Sequence, residues 1–337
     1  VRYFRIVITN PQTGAVVVPS SLASIDPTSS YTSFVNGKTL PGALNVEFDI
    51  PVTVYAVPFG EAFVRIWGVS LAEISQANDL NNLNIAVYGG FQKGLPLADP
   101  SQAGLLVQGY IYQALGNWIG NSMTLDLYIR PGNSATDSTP TKPKNITLNW
   151  KKGTPLSGAL QQTLSAAYPG FTSTINISSK VVATEDQIGY YSGMEQLGAY
   201  VKAMSKQIVG GSYQGVDILL TGTTFKVDDG TVQNTPKQIA FKDMIGQPTW
   251  LDSVTIQTKF AMRADIAVMD YLQFPPAITT QSGNANSPFV NPKATFQGTF
   301  QVKQIRHVGN YRQADGNSWV TVVDTYSTAP VAAQQAA

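Results

Sequence analysis

One pattern constrains this chain more than any other: runs of alternating apolar and polar residues that recur, in the same order, towards each end. Leu44, Val46, Phe48, Ile50 and Val52 repeat with period two, and so do Met123, Leu125, Leu127 and Ile129. That period sends successive side chains to opposite faces of a strand, one of which can be buried. Around residue 85, Leu83–Tyr88 leads into a polar loop, a strand at Leu105–Gln113 and a returning strand at Met123–Ile129. Around residue 266, Ala264–Met269 leads into the loop Pro275–Lys293, a strand at Phe296–Arg306 and a returning strand at Ser318–Thr325. Both blocks contain Ile-Ala-Val, at Ile85-Ala86-Val87 and at Ile266-Ala267-Val268. The shared order predicts two related β domains of one topology, spanning 64–130 and 250–326.

The stretch between them reads differently. Pro131–Lys144 is apolar-poor and rich in Pro, Ser, Thr and Asn, as a linker is. Thr154-Pro155-Leu156 then pairs an N-cap residue with proline at the first helical position, ahead of Leu156, Leu160 and Leu164. Met194, Leu197, Val201, Met204 and Ile208 form a second helical stripe that Gly210-Gly211 stops. Thr184–Gln187 is read as a capping box at the start of that helix. The chain therefore divides into a first β-barrel (1–149), an α/β insert (150–211), connecting strands (212–240), a second β-barrel (241–328) and a tail (329–337). The fold class is mainly β with a small α/β insert, two tube-like β-barrel domains in one chain.

Smaller signals fill in the outline. Phe4, Ile6 and Ile8, a turn at Asn10–Gly14 and then Ala15–Val18 predict a hairpin. Pro51 places the strand of Val46–Val52 at an edge or a bulge, because proline donates no ladder hydrogen bond. Asp217–Thr221 and Thr224–Val227 read as strands, and Asp315–Ser318 as a hairpin turn. Beyond that turn Trp319, Thr321, Val323 and Thr325 share a face that is neither clearly apolar nor clearly polar. Such a face suits a strand covered on both sides. The Ala/Gln-rich tail Ala329–Ala337 has no packing logic of its own and would need a neighbouring chain to anchor it. Trp319, Thr321, Val323, Thr325 and Pro330 are accordingly the candidate interface residues.

Composition narrows the chemistry. Charged residues make up 13% of the chain, about half the ~25% usual in soluble domains. The net charge is +1, with no run of either sign to track a phosphate backbone, so no sequence-specific nucleic acid is expected as a partner. The basic residues Lys142, Lys144, Lys151 and Lys152 read as a solvated linker. The absence of cysteine excludes disulfides, thiolate zinc sites and Cys nucleophiles. No apolar run approaches a membrane span, and Val1–Arg5 reads as a strand rather than a signal peptide, so folding in a cytoplasm is expected. A single histidine, His307, cannot assemble a His-rich metal site, and no Gly-x-Ser-x-Gly elbow accompanies it. Glu47 with Asp49 reads as a solvated strand face, and Asp228 with Asp229 as turn chemistry, rather than as a hydrolase pair. No catalytic residue, cofactor or metal is assigned, and no activity on peptidoglycan or peptides is expected.

Several of these segments carry a resemblance. Val64–Val69, then Leu83–Tyr88 with Gly89-Gly90-Phe91, then Leu106–Ile111, resemble the first barrel of baseplate hub proteins of contractile-tailed phages. That family includes the late-control type and the hub half of type VI secretion spikes. The insert Leu156–Ile208, the block Phe241–Pro248 and the terminal Val302–Thr325, with Ile305-x-His307-x-Gly309, are similar to the later segments of those proteins, in the same order. Gly89-Gly90-Phe91 departs from the family's direct Gly-Tyr. The resemblance implies a homotrimeric ring of doubled barrels in a virion tail baseplate, assembled in the host cytoplasm and joining a hexameric tail tube to a trimeric central spike. Implied partners are further copies of the chain, the tail tube protein, the spike protein, other baseplate proteins and the tape measure protein. Competing readings are a tail tube or other tail structural protein, and a virion-associated cell-wall hydrolase.

Overall fold

Each alternating run can bury one face only beside other strands, and the computed structural model gathers most of them into one extended, largely antiparallel sheet. It describes residues 1–55, 61–93, 99–131, 145–211, 213–221, 223–231, 235–252, 255–275, 296 and 298–327. β1 (Arg2–Thr9) precedes three two-residue strands, β2 (Tyr31–Thr32), β3 (Phe34–Val35) and β4 (Lys38–Thr39). Then come β5 (Asn45–Thr53), β6 (Ala62–Trp67), α1 (Leu71–Ser75), β7 (Asn84–Phe91), β8 (Gly104–Ile119) and β9 (Ser122–Pro131). The middle of the chain holds β10 (Ile146–Trp150), α2 (Leu156–Ala167), β11 (Thr172–Asn176), β12 (Gln187–Tyr191) and α3 (Met194–Val209). β13 (Asp217–Thr221) and β14 (Thr224–Asp228) come next. The last part comprises β15 (Lys237–Gln238), β16 (Thr249–Trp250), β17 (Thr255–Ala261), β18 (Tyr271–Gln273), β19 (Thr299–Asn310) and β20 (Trp319–Ser327).

The mainly β class with an α/β insert is what the structure holds. Its main strand path runs β16-β17-β20-β19-β5-β6-β9-β8-β7-β1-β2, through both halves of the chain. No ladder among the described residues closes either half on itself. Three buried apolar clusters lie along the chain. One is built on β1 and β5–β9, one on the middle segment, and one on β17–β20. In the middle, Leu156, Leu160 and Leu164 of α2 and Met194, Leu197 and Val201 of α3 are buried against β10 and the parallel-antiparallel trio β11-β14-β13. β13 and β14 thus share the insert's core. Gly210 ends α3 at φ 72°, a left-handed position that favours glycine.

Local readings shift in four places. Thr184–Gln187 does not cap α3: the chain first runs along β10 as β12, and the N-cap is Gly193. Asp186 instead accepts hydrogen bonds from the Lys152 N–H (2.8 Å) and Lys151 Nζ (3.1 Å). The box the sequence reading missed is Ser70–Glu73 at α1, where Glu73 N–H donates to Ser70 Oγ (3.3 Å) and Ser70 N–H to Glu73 Oε2 (2.8 Å). Ala15–Val18 forms a single bridge, Thr9 with Val16, because the Asn10 turn leads directly into loop. Pro51 lies inside the sheet on β5, yet β6 stops pairing at Asp49–Phe63, so its missing N–H faces no ladder there. The Pro275–Lys293 loop, the Pro131–Lys144 linker and the Ala329–Ala337 tail fall largely or wholly outside the described residues.

The duplication is structural. β6-β9-β8-β7 and β17-β20-β19-β18 have the same order, first-fourth-third-second, with every neighbour antiparallel. Both third strands carry an irregularity at the same place, between Ile111 and Gln113 on β8 and between Val302 and Gln304 on β19. Opposite each irregularity stands a non-glycine residue at positive φ, Asn82 (65°) and Met269 (74°). Asn82 N–H donates to Ile111 O (2.7 Å) and Met269 N–H to Val302 O (2.9 Å). The return bonds match as well, Ile111 N–H to Leu83 O (2.9 Å) and Val302 N–H to Asp270 O (2.8 Å). This alignment sets Ile85 beside Leu272. The shared Ile-Ala-Val is therefore not equivalent between the halves: Ile266–Val268 precedes its strand and turns, whereas Ile85–Val87 lies within β7.

The halves meet where β19 pairs with β5, from Gln304–Thr53 to Asn310–Glu47. The inward residues of β5, Val46, Phe48 and Ile50, are buried, each contributing about 1.5–3 kcal/mol of apolar burial. Phe48 packs edge-on against Trp319 (centroids 5.0 Å apart), whose indole N–H donates to Gly90 O (2.9 Å). Arg2 closes the joint from outside, donating to Asn310 O (2.8 Å), Asp315 O (3.1 Å) and Ser318 Oγ (2.9 Å). Glycine is required at 309, where an added Cβ would lie 2.4 Å from the Phe48 ring. Gly309→Ala should cost about 1–3 kcal/mol in urea unfolding, and Phe48→Leu in the same chain should recover part of that loss.

Candidate functional site

The histidine and the acidic pairs singled out in the sequence are engaged in internal hydrogen bonds. His307 is buried, and its Nδ1 lies 3.0 Å from Thr321 Oγ1. That hydroxyl donates to Arg263 O (3.0 Å) and accepts from Arg263 N–H (3.0 Å), which leaves the imidazole as the donor to it. Burial pushes the imidazole from its ordinary 6.5 down to about 3, since nothing beside it repays the desolvation of a charge. It is a neutral packing element within a strand. The Arg263 guanidinium is itself held by Asp265 (2.7 and 2.6 Å) and Asp243 (3.2 Å).

The two acidic pairs serve as ties. Asp49 accepts Arg306 Nε at 2.7 Å and Glu47 accepts Asn310 Nδ2 at 2.9 Å, both across the β5–β19 ladder. Asp228 accepts from Gly230 N–H (2.7 Å), Asn176 (3.2 Å) and Gln301 of β19 (3.1 Å), and burial raises its carboxyl above the ordinary range. Asp229 accepts from Ser178 N–H (2.7 Å) and the Tyr213 hydroxyl (2.8 Å). Asp217, missed in the sequence, receives Lys202 of α3 (2.7 Å) and Lys303 (3.2 Å), the residue skipped at the β19 irregularity. Its place at the first position of an ordinary strand gave no signal. Among the described residues no group of three or more His, Cys, Asp or Glu could hold a metal ion, and no helix is long and apolar enough to cross a membrane.

Among the described residues two strand edges stand open. β19 is paired on both sides over 304–310, to β20 and to β5. Its counterpart on β8, residues 113–119, has a strand partner only in β9, because β7 reaches only Tyr110; on the other side the Ala114 N–H donates to Asn81 Oδ1 (2.7 Å), and Leu115–Ile119 are left open. At the tip of that free edge Trp118 and Ile119 are 63% and 77% exposed. A second free edge runs through residues 244–251. It is bonded to β17 alone, by Ile245 N–H to Lys259 O (2.8 Å) and Leu251 N–H to Thr255 O (2.9 Å). Trp250 and Leu251 are exposed along it, and Phe241 just ahead of it. An open edge with exposed apolar side chains is a template for another chain.

The expected interface residues lie elsewhere. Trp319, Thr321, Val323 and Thr325 are at most 2% exposed. They form the inward face of β20, between β17 and β19, so they are core to this chain and offer no face to a partner. Their mixed polarity has an internal cause: Thr321 serves His307 and Arg263, and Thr325 Oγ1 reaches Ile256 O (3.5 Å). Pro330 lies outside the described residues.

No protein-family model matches the chain, and no curated protein is recognisably similar to it in sequence. Among solved structures it is similar to the 43 kDa tail protein of prophage MuSo2 from Shewanella oneidensis, at 7% identity, 96% of each chain covered and a TM-score of 0.47. It is also similar to a tail protein of Neisseria meningitidis MC58, at 8% identity, 96% of each chain and a TM-score of 0.49. A third is a chain of the lidded Francisella PdpA-VgrG complex, at 8% identity, 98% of this chain, 54% of that one and a TM-score of 0.45. With every score below 0.5, the likeness is one of general outline and settles no role.

The buried imidazole has a measurable consequence. Above pH 6.5 both folded and unfolded states hold it neutral. Below that, only the unfolded state takes up the proton, so stability falls as pH drops from about 6.5 towards 3, by up to about 1.4 kcal/mol per pH unit. In urea unfolding between pH 6.5 and 5, stability should fall more steeply with pH in the native protein than in His307→Gln, the raised Asp228 carboxyl being common to both.

Proposed function

We propose that this chain is a structural protein of a phage-type tail and, within that class, the hub of the baseplate. In this reading three copies form a ring that joins a hexameric tail tube to a trimeric central spike. The observation that carries it is the doubled four-strand unit, with the same order, the same strand irregularity and the same left-handed residue in each half. A chain that presents one unit twice turns three copies into six nearly equivalent positions, which is how threefold and sixfold neighbours can share an axis. The order of sequence segments resembling baseplate hubs supports the same role. The histidine and the acidic pairs, consumed by internal hydrogen bonds, favour a non-catalytic part over a wall hydrolase.

In this role the partners are two further copies, the tube and spike proteins, other baseplate proteins and the tape measure protein, in a virion assembled in the host cytoplasm. The division into a first barrel (1–149), an insert (150–211), connecting strands (212–240) and a second barrel (241–328) belongs to the same proposal. Sedimentation equilibrium of the purified protein should give a trimer, and electron microscopy a ring with six similar lobes. A protein that stays monomeric at every concentration and binds neither a tube nor a spike protein would sink the reading. So would peptidoglycan lysis abolished by one Asp or Glu substitution.

A further inference from the structure

The repeat carries more than a shape. It says which edge of each half should be covered, and by what. In the second half, the far end of β19 is covered by β5, with Arg306 opposite Pro51, Gly309 opposite Phe48 and Asn310 opposite Glu47. Superposing the halves by their shared irregularity makes Gln113–Ile119 of β8 the counterpart of Gln304–Asn310. Within that stretch the Ala114 N–H is taken by Asn81 Oδ1 (2.7 Å) and Ile74 of α1 lies against Gly116, so the free edge at the tip of β8 is Leu115–Ile119. The counterpart of β5 is fixed by its partner strand. Val46 pairs with Ile66 as Met244 bridges Phe260, and Asp49 pairs with Phe63 as Thr249 pairs with Gln257. The segment 244–251 is therefore the β5 of the second half, and its outer edge is free as well.

We propose that these two edges belong to each other across copies: residues 244–251 of one chain add as an antiparallel strand to residues 115–119 of a second copy, repeating between chains most of the β5–β19 joint within each. The inference rests on the ring-forming reading and assigns the contact that closes the ring. One chain supplies one slot and one strand, so the contact is heterologous and closes only by going round.

Side-chain sizes support the match. Inside the chain, Gly309 on the slot strand sits beneath the large Phe48 of the added strand. Between chains the sizes exchange. The slot residue equivalent to Gly309 is Trp118, 63% exposed, and the place of Phe48 is taken by the detour Gly246-Gln247-Pro248. Gly246 has open space where a Cβ would be. On the other face, the internal joint is polar, with Arg306 bound to Asp49 and Asn310 to Glu47. The equivalent positions are Leu115 opposite Leu251 and Ile119 opposite the half-buried Ile245, an apolar pairing that accounts for the exposed Leu115, Ile119 and Leu251 at a free edge.

The chain contains no cysteine, which makes a covalent test clean. Cβ atoms directly opposite in an antiparallel pair lie about 4.5–5.5 Å apart, within small adjustments of a disulfide. Leu115→Cys with Leu251→Cys should give, on mild oxidation, a ladder of disulfide-linked multimers on a non-reducing gel. Neither single variant, nor Leu251→Cys with Ile25→Cys, should give that ladder. Trp118→Lys and Leu251→Lys, both at exposed positions, should each weaken assembly at least about tenfold in sedimentation while circular dichroism stays native. An oligomer that gives no such ladder and withstands both lysines overturns this contact and leaves the ring reading to another surface. A protein monomeric at all concentrations overturns both.

Discussion

Everything in this molecule is hung on β19. The skipped residue between Val302 and Gln304 changes the strand's direction, so its first residues pair with β18 and its last with β5. On the near side of that irregularity Phe300 and Val302 enter the second-half core. On the far side Gly309 lets Phe48 of the first half pack against the strand. At the irregularity itself Lys303 reaches Asp217 of β13, and Gln301 reaches Asp228 of β14, the two strands that share the insert's core. One strand therefore packs into the second-half core, meets the first-half core at Phe48 and is tied by polar side chains to β13 and β14. An unbroken strand would point its residues to alternating faces throughout, and Lys303 would lose its aim.

The sparse charges are placed where strands from distant parts of the chain must hold together. Arg2 wraps the β19–β20 turn, Arg263 is clasped by Asp243 and Asp265, and Lys202 and Lys303 converge on the buried Asp217. The exposed pair Arg306–Asp49 is worth at most about 1 kcal/mol in solvent. The buried groups matter more through what their loss would leave behind, an unpaired charge or donor inside the protein. Thr and Ser take the remaining duties: Ser33 Oγ accepts from Phe4 N–H (2.9 Å) and Ser30 Oγ from Ile8 N–H (2.9 Å) along β1. A low charge fraction is thus compatible with a well-satisfied interior.

The two halves keep their shared geometry with almost no shared sequence, and the positions concerned explain how. Asn82 and Met269 occupy the same left-handed site. Asparagine tolerates that conformation readily. Met269 is held in it by its bond to Val302 O and by a buried side chain. Ile66 and Phe260, or Leu127 and Val323, fill equivalent inward places with different volumes. Backbone hydrogen bonds set the repeat, and any apolar residue that fits the local space can occupy it.

Period-two alternation by itself determined β5 and β9, and the apolar stripes at helical spacing determined α2 and α3, because each signal is local and independent of partners. The double use of one strand order could be read from the sequence as well, although the motif that drew attention to it, Ile-Ala-Val, marks unlike places. Tertiary structure decided the rest. Thr184–Gln187 has the composition of a cap and lies ahead of a strand, since capping depends on where the next helical turn begins. Trp319, Thr321, Val323 and Thr325 read as a contact face because their mixture of ring, hydroxyl and methyl looks half-solvated. Only the packing shows Thr321 meeting His307 and Arg263, and Trp319 lying under Phe48. The exposed edges at Leu115–Ile119 and Trp250–Leu251 left no mark in the sequence. Whether a strand's backbone is paired depends on which distant strand lies beside it, and alternation reports only the faces.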